Sequence, residues 1–183
     1  MKNRRIFVEK YPQFQVEAET LRRELNTNLG LSIESLRYIN VYDLFGFSDE
    51  LVEKSRYSVF GEVVTDLVSD ECDFAGCPHL AVEFLPGQFD QRAASAVDCV
   101  HLIEPNAEVK IKSSRLLIFD NGVSADDMAR IEKYYIIAVE SRKKNLDVLS
   151  DAESSTKERC SALKSSLAAR CATQRSRLLS IAI

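Results

Sequence analysis

The chain has 183 residues, of which 45% are hydrophobic and 28% charged, and this composition suits one globular domain or a tightly fused pair of subdomains. Its formal net charge of −4 gives no general attraction to nucleic acid, and no apolar stretch approaches the length that crosses a bilayer. The apolar run after Arg5 ends at Glu9, too short for a signal peptide, so we expect a cytoplasmic protein that binds neither nucleic acid nor membrane.

Four segments in the N-terminal part have the hydrophobic period of a strand or a helix, and strands alternate with helices: residues 4–10, 15–28, 34–45 and 49–58. Gly30 follows the first predicted helix and supplies its stop. Ser48 precedes the second and is its predicted N-cap, because a serine hydroxyl accepts a hydrogen bond from the unpaired amides of a first turn.

The same order of elements occurs again in the C-terminal part, over residues 79–85, 89–102, 107–119 and 124–138. Ser124 is the predicted N-cap of the last helix, and Asp126 and Asp127 in its first turn favour the helix dipole. Residues 61–77 join the two parts and are the predicted boundary between them.

The two parts are predicted to be copies of one unit, because equivalent residues recur at a nearly constant separation. Val8-Glu9 matches Val82-Glu83 at an offset of 74 residues, and Gly46-Phe47-Ser48 matches Gly122-Val123-Ser124 at 76. At an offset of 75, four residues of the first predicted helix match four of its counterpart: Phe14, Ala18, Leu21 and Leu25 with Phe89, Ala93, Ala96 and Val100. A separation that drifts by one residue per loop is typical of duplicated elements with variable connections.

Paired strand, helix, strand, helix units predict an α+β fold with two pseudo-symmetric repeats, at about residues 4–60 and 78–140. The helices are expected to pack on one face of antiparallel or mixed sheets. An isolated copy would leave an apolar sheet face uncovered, so fusion of the copies or self-association is expected.

Four parts of the chain carry a resemblance to a known family, in that family's order: residues 4–10, 38–46, 81–93, and 133–136 with 139–142. The most specific is Ala81-Val82-Glu83-Phe84-Leu85-Pro86-Gly87-Gln88-Phe89-Asp90-Gln91-Arg92-Ala93. These segments resemble the N-terminal domain of the large, single-chain phosphoribosylformylglycinamidine synthases of purine biosynthesis, and the resemblance covers residues 3–148. In that family the domain is a fused duplicate of a separate small subunit, which agrees with the predicted repeat.

The resemblance implies a part in a glutamine-dependent ligase that uses ATP to convert formylglycinamide ribonucleotide into the corresponding amidine. In the family, the site for ATP, substrate and magnesium lies in later synthetase domains, and a cysteine-based glutaminase forms the C-terminal end. We therefore expect no cofactor in this chain. The family's N-terminal domain packs between the two catalytic parts and helps to couple them, which implies a non-catalytic role with the synthetase and glutaminase domains as partners.

The chain also departs from the family. Ala94 stands where an acidic residue is common, Ile137 stands where asparagine is usual, and nothing aligns after Ser154. We expect a truncated or frameshifted chain whose residues 149–183 form a divergent tail, disordered or loosely helical. Residues 145–183 hold six basic and four acidic side chains, a charge of +2, so the alternative is a freestanding interaction protein that binds the parent enzyme or an acidic partner.

The stretch from Leu85 to Arg92 is the strongest candidate for a functional surface. Pro86 fixes φ and Gly87 permits a turn that other residues do not adopt, whereas Asp90 is placed to cap the helix that follows. Phe89 is expected to enter the core.

Two roles for this stretch compete. An anion could bind the unpaired amides of the helix N-terminus beside Arg92, but the carboxylate of Asp90 would satisfy the same amides and repel the anion. We therefore favour contacts with neighbouring domains, and four residues are the candidates for them: Gln88, Asp90, Gln91 and Arg92.

Three cysteines and two histidines are of the types that bind zinc: Cys72, Cys77, His79, Cys99 and His101. Their spacing is poor, because a Cys-x-His pair points to one side of a strand but to divergent faces of a helix. We predict no metal site and free thiols for the five cysteines of the chain. The sequence also lacks phosphate-loop, dinucleotide-binding and zinc-protease motifs, so no catalytic residue is predicted.

Overall fold

The computed structural model describes residues 3–147 and 149 of the chain. Its strands are β1 Arg4–Lys10, β2 Leu36–Phe45, β3 Asp66–Ser69, β4 His79–Phe84, β5 Lys110–Phe119 and β6 Ser141–Lys143. Its α-helices are α1 Val16–Leu29, α2 Asp49–Ser55, α3 Gln91–Ile103 and α4 Ala125–Tyr135. A 3-10 turn over Pro12–Phe14 precedes α1, and a π-helical turn over Arg56–Phe60 extends α2.

The six strands form one antiparallel sheet in the order β3-β1-β2-β5-β4-β6. The predicted α+β fold is therefore confirmed. The two halves of the sheet join edge to edge, because β2 and β5 pair over their whole length, from Leu36 with Phe119 to Phe45 with Lys110. The predicted connection over residues 61–77 contains β3, an edge strand that the sequence pattern did not indicate.

The element order strand, helix, strand, helix occurs twice in the chain. The first residues of equivalent elements are 75, 75, 74 and 76 positions apart: Arg4 and His79, Val16 and Gln91, Leu36 and Lys110, Asp49 and Ala125. These separations agree with the offsets of the predicted repeat. The edge strands β3 and β6 lie outside the predicted unit, but they also hold equivalent places, beside β1 and β4, and they begin 75 residues apart, at Asp66 and Ser141. The pseudo-symmetric duplication stays a prediction.

All four helices cover one face of the sheet, where two apolar clusters lie side by side. The N-terminal cluster joins β1 and β2 to α2 and α3: Ile6, Val8, Tyr42, Leu44, Leu51, Val52, Phe60, Ala93, Ala96 and Val100 are among its residues. The C-terminal cluster joins β4 and β5 to α1 and α4: Leu25, Leu80, Val82, Leu117, Phe119 and Ile131 are among its residues. Thus α3, of the C-terminal half, packs in the cluster built mainly on β1 and β2, and α1, of the N-terminal half, packs in the cluster built mainly on β4 and β5.

The opposite face of the sheet is apolar at its centre, with Ile39, Val41 and Leu116 buried there. No helix covers this face within the described part of the chain. It is covered instead by the segment before β4, which contributes Phe74, and by Leu146 near the end of the described residues. The connection between the two halves therefore completes the core.

The predicted helix signals hold in the structure. Gly30 ends α1 in the left-handed conformation, with φ of 63°. The hydroxyl of Ser48 accepts a hydrogen bond from the amide of Leu51, and that of Ser124 accepts one from the amide of Asp127, so both serines are N-caps. α4 ends at Tyr135, three residues before the predicted end, because Ile136 adopts an extended conformation.

The predicted tail, residues 149–183, lies outside the described residues except for Leu149, and its order stays a prediction. Among the helices of the described residues, none has both the length and the apolar character needed to cross a membrane.

Candidate functional site

The Leu85 to Arg92 stretch forms a tight turn followed by a capped helix. The amide of Gln88 donates to the carbonyl of Leu85 over 3.0 Å, which closes a turn with Pro86 and Gly87 at its centre. Gly87 has φ of 92°, a conformation that side-chain-bearing residues rarely adopt. Pro86 and Gly87 therefore form the turn that the sequence predicts for them.

Asp90 anchors this stretch to both α3 and the sheet. Its Oδ1 accepts a 2.9 Å hydrogen bond from the amide of Ala93, as predicted for the N-cap, and a second of 2.9 Å from the hydroxyl of Ser113. Its Oδ2 accepts from the amide of Ser113, also over 2.9 Å. Because both carboxylate oxygens are used within the chain, Asp90 positions the surface, and its neighbours remain available to a partner.

Gln88 connects the turn to a second segment that follows α4. Its Nε2 donates to the carbonyl of Val139 over 3.0 Å, and the amide of Leu85 donates to the carbonyl of Glu140 over 2.8 Å. The turn and the segment after α4, which are about 50 residues apart in the chain, therefore form one surface. Ile137, one of the two departures from the family pattern, lies in this segment.

Phe89 does not enter the core: 76% of its surface is exposed, so that prediction is wrong. The physical reason is the cap. Asp90 turns its side chain inward to Ser113 and the first turn of α3, and the core positions of that helix are filled from Ala93 onward. Phe89 lies outside the helix and points outward. Ile137 and Val139 are also exposed, at 56% and 77%, and we call Phe89, Ile137 and Val139 together the loop surface.

A groove of about 600 Å³ opens beside the loop surface. Its lining comes from β4, β5, the start of α3 and the segment after α4, and includes Phe89, Gln91, Arg92, Ser113, Arg115, Tyr135 and Ile137. A second hollow of about 520 Å³ lies along α1 and shares Tyr135 with the groove. Of the four predicted contact residues, Gln91 and Arg92 line the groove, whereas Gln88 and Asp90 hold the loop in place.

Two arginines give the groove its charge. Arg92 extends from the first turn of α3 and Arg115 from the middle of β5. Burial lowers the pKa of Arg92, but the neighbouring Tyr42, Tyr38 and Glu17 together outweigh this effect and raise that pKa overall. Burial likewise lowers the pKa of Arg115, and its interactions with Tyr38 and Tyr135 raise it overall. Both guanidinium groups are therefore cationic throughout the pH range in which proteins fold.

The hydroxyl group of Tyr38, near these arginines, stays protonated. Burial and the neighbouring Tyr135 raise the pKa of Tyr38 well above its usual value. The guanidinium of Arg115 also lies over the ring of Phe84, 5.8 Å from its centre, a distance that suits a cation–π contact. The groove thus combines fixed positive charge, hydroxyl donors and aromatic surface.

Arg115 was missed by the sequence analysis, although the sequence contains a signal for it. On β5, Ile111, Leu117 and Phe119 face the helices, and Arg115 shares their parity. A charge on the apolar face of a strand is unusual and indicates either an ion pair or a binding role.

The cysteines and histidines do not come together. Cys72 and Cys77 pack against the helix-free face of the sheet, where burial raises the pKa of Cys72. Cys99 and His101 lie on α3, on the opposite face, and the His79 ring contacts Phe74. In the described part of the chain, no group of three or more His, Cys, Asp or Glu side chains is arranged to hold a metal ion.

The chain matches no protein-family model, no curated protein and no solved structure.

Proposed function

We propose that the chain is a non-catalytic docking and coupling domain of a phosphoribosylformylglycinamidine synthase, and that it binds the synthetase and glutaminase domains through the loop surface. The exposed Phe89 is the observation that carries the proposal. A phenylalanine held outward on a rigid turn gains about 2 kcal/mol when a partner buries it, and its rigidity limits the entropy lost on binding.

The arrangement of the resembling segments supports the same partner. Residues 81–93 and the pair 133–136 and 139–142 resemble the family independently, and they meet through the hydrogen bonds of Gln88 with Val139 and of Leu85 with Glu140. These segments are distant in sequence, yet they resemble the same family and lie on one surface. This is the arrangement expected if one partner binds both segments. A cytoplasmic location, as for purine biosynthesis, is part of the proposal.

The test uses the remaining domains of a large single-chain synthase of this family, produced without its N-terminal domain. Mixing them with the full 183-residue chain is expected to give a complex in sedimentation velocity and to raise glutamine-driven formation of the amidine. Replacing Phe89 by alanine is expected to weaken the complex about tenfold or more, the effect of losing one central aromatic contact.

Leu102→Ala is the matched control, because Leu102 is an apolar residue near the other end of α3, 85% exposed, and does not line the groove. It is expected to bind as the unchanged chain does. Equal binding by the two variants, or no complex with the unchanged chain, would remove the proposal. A chain ending at Leu149 tests the alternative, since binding that depends on the basic residues 150–183 would favour a freestanding interaction protein.

A further inference from the structure

Arg92 and Arg115 are exceptional among the arginines of this chain. The described residues contain ten arginines, and eight of them form an ion pair with a carboxylate. The two that form none within residues 3–147 are Arg92 and Arg115, and both line the same groove. Two cationic guanidinium groups without an ion-paired carboxylate, presented to one groove by a helix and a strand, give that groove a positive charge that suits an anion.

We propose that the groove binds a phosphate monoester, with its phosphate group between the guanidinium groups of Arg92 and Arg115. Guanidinium groups present paired N–H donors that match the oxygens of a phosphate, and two of them neutralise a dianion. Both arginines line the same groove, so their charges act on one region. This site differs from the N-terminus of α3, where the amide of Ala93 already donates to the Asp90 carboxylate.

The rest of the groove suits the organic part of such a ligand. Gln91, Ser95 and Ser141 supply polar groups, and Phe89 and Ile137 supply an apolar wall at the rim. The volume, about 600 Å³, lies in the range of pockets that enclose small organic ligands. An apolar group on the phosphate is therefore expected to add affinity over inorganic phosphate.

The acidic residues nearby set the strength of the site. Glu83 lines the groove, but Arg142 donates to its Oε1 over 2.8 Å and compensates its charge. Glu140 lies exposed at the rim. Glu17 is the acid that interacts with both arginines, from the neighbouring hollow. Because it competes with an anion for them, its removal is expected to strengthen phosphate binding.

The experiment is calorimetric titration of the full chain, without any partner domain, with inorganic phosphate, phenyl phosphate and benzoate. We expect phenyl phosphate to bind more tightly than inorganic phosphate, and benzoate, with one charge and two oxygens, to bind least. Arg92→Gln and Arg115→Gln are each expected to weaken phenyl phosphate binding about tenfold, and Glu17→Gln to strengthen it about threefold.

Arg130→Gln is the control, because Arg130 is ion-paired to Asp127 on α4 and lies outside the groove lining. It is expected to leave binding unchanged, and thermal unfolding confirms that each variant is folded. No binding of any probe, benzoate binding as tightly as phenyl phosphate, or equal losses in Arg130→Gln and the groove variants would each overturn the phosphate site. Since no synthase domain is present, these outcomes are independent of the docking proposal.

Discussion

Lys144 shows how a single buried charge holds the end of the described chain against the sheet. Its side chain is only 4% exposed, and its Nζ donates to Asp43 Oδ2 over 2.6 Å and to the Ser114 hydroxyl over 3.0 Å. The same Asp43 accepts from Arg5 Nε over 2.6 Å. The Asp43 carboxylate thus lies against two cations on the helix-free face, and the Glu83 carboxylate lies farther from Lys144 Nζ, at 3.8 Å.

Asp43→Asn is expected to destabilise the protein more than Lys144→Met. Losing the carboxylate removes the group that lies 2.6 Å from each of two buried cations, and Glu83, 3.8 Å from Lys144, replaces it only in part, so the change costs about 3–5 kcal/mol, whereas Asp43 without Lys144 is still neutralised by Arg5. Urea unfolding at pH 7 measures both changes. The double variant is expected to recover part of the loss, and a larger effect for Lys144→Met would contradict this account of the charges.

At the scale of elements, Asp120 links two segments at one end of the sheet. It follows β5, and its Oδ2 accepts hydrogen bonds from the amides of Glu34 and Ser35, over 2.9 and 3.2 Å, just before β2. Its Oδ1 accepts from the amide of Gly122, over 2.8 Å, in the turn that leads to α4. Burial raises the pKa of Asp120, but these backbone hydrogen bonds outweigh it and lower the pKa overall.

The lowered pKa of Asp120 predicts an acid-dependent contribution to stability. A carboxyl group with a lower pKa in the folded than in the unfolded state stabilises the fold above its ordinary value of 3.8, and loses this effect as pH falls through the folded value. Asp120→Asn is therefore expected to lower stability at pH 7 by about 1–3 kcal/mol. Chemical unfolding at pH 7 and at progressively lower pH should show the gap between variant and parent narrowing, and a constant gap would argue against the charged form as its source.

The elements with a clear hydrophobic period were predictable, and the short edge strands were not. α3 and β5 have enough residues to display their periods, so both were predicted within a few residues of their bounds. β3 has four residues and β6 three, and neither is long enough to display an alternation. Both strands are defined by pairing with a distant partner, β1 or β4, which is tertiary information.

The sequence predicts the local backbone geometry of the candidate site, but not which distant residues come together there. Pro86, Gly87 and Asp90 follow local backbone rules, and their roles as turn and cap were predicted correctly. The outward direction of Phe89 depends on Ser113, which attracts Asp90 from a strand more than 20 residues away. Arg92 and Arg115 line one groove because of the way α3 lies on the sheet. Helical or strand periodicity alone does not predict that placement.

At the scale of the whole molecule, the two halves depend on each other through their helices. α3, from the C-terminal half, supplies Ala93, Ala96 and Val100 to the cluster built on β1 and β2. α1, from the N-terminal half, supplies Leu25 to the cluster built on β4 and β5. Because β2 and β5 also pair over their full length, a separated half would lose a helix and expose the central edge of its sheet.

Neither half is therefore expected to fold alone. Burial of the residues that α3 contributes is worth several kcal/mol, comparable with the whole stability of a small domain. Fragments 1–75 and 76–183, cut in the connection before β4, are expected to lack cooperative thermal unfolding when separate and to regain it when mixed in equal amounts. Circular dichroism and sedimentation of the mixture measure this recovery. A fragment 1–75 that unfolds cooperatively as a monomer would show that the N-terminal cluster closes without α3, and that the exchange of helices between halves does not hold the molecule together.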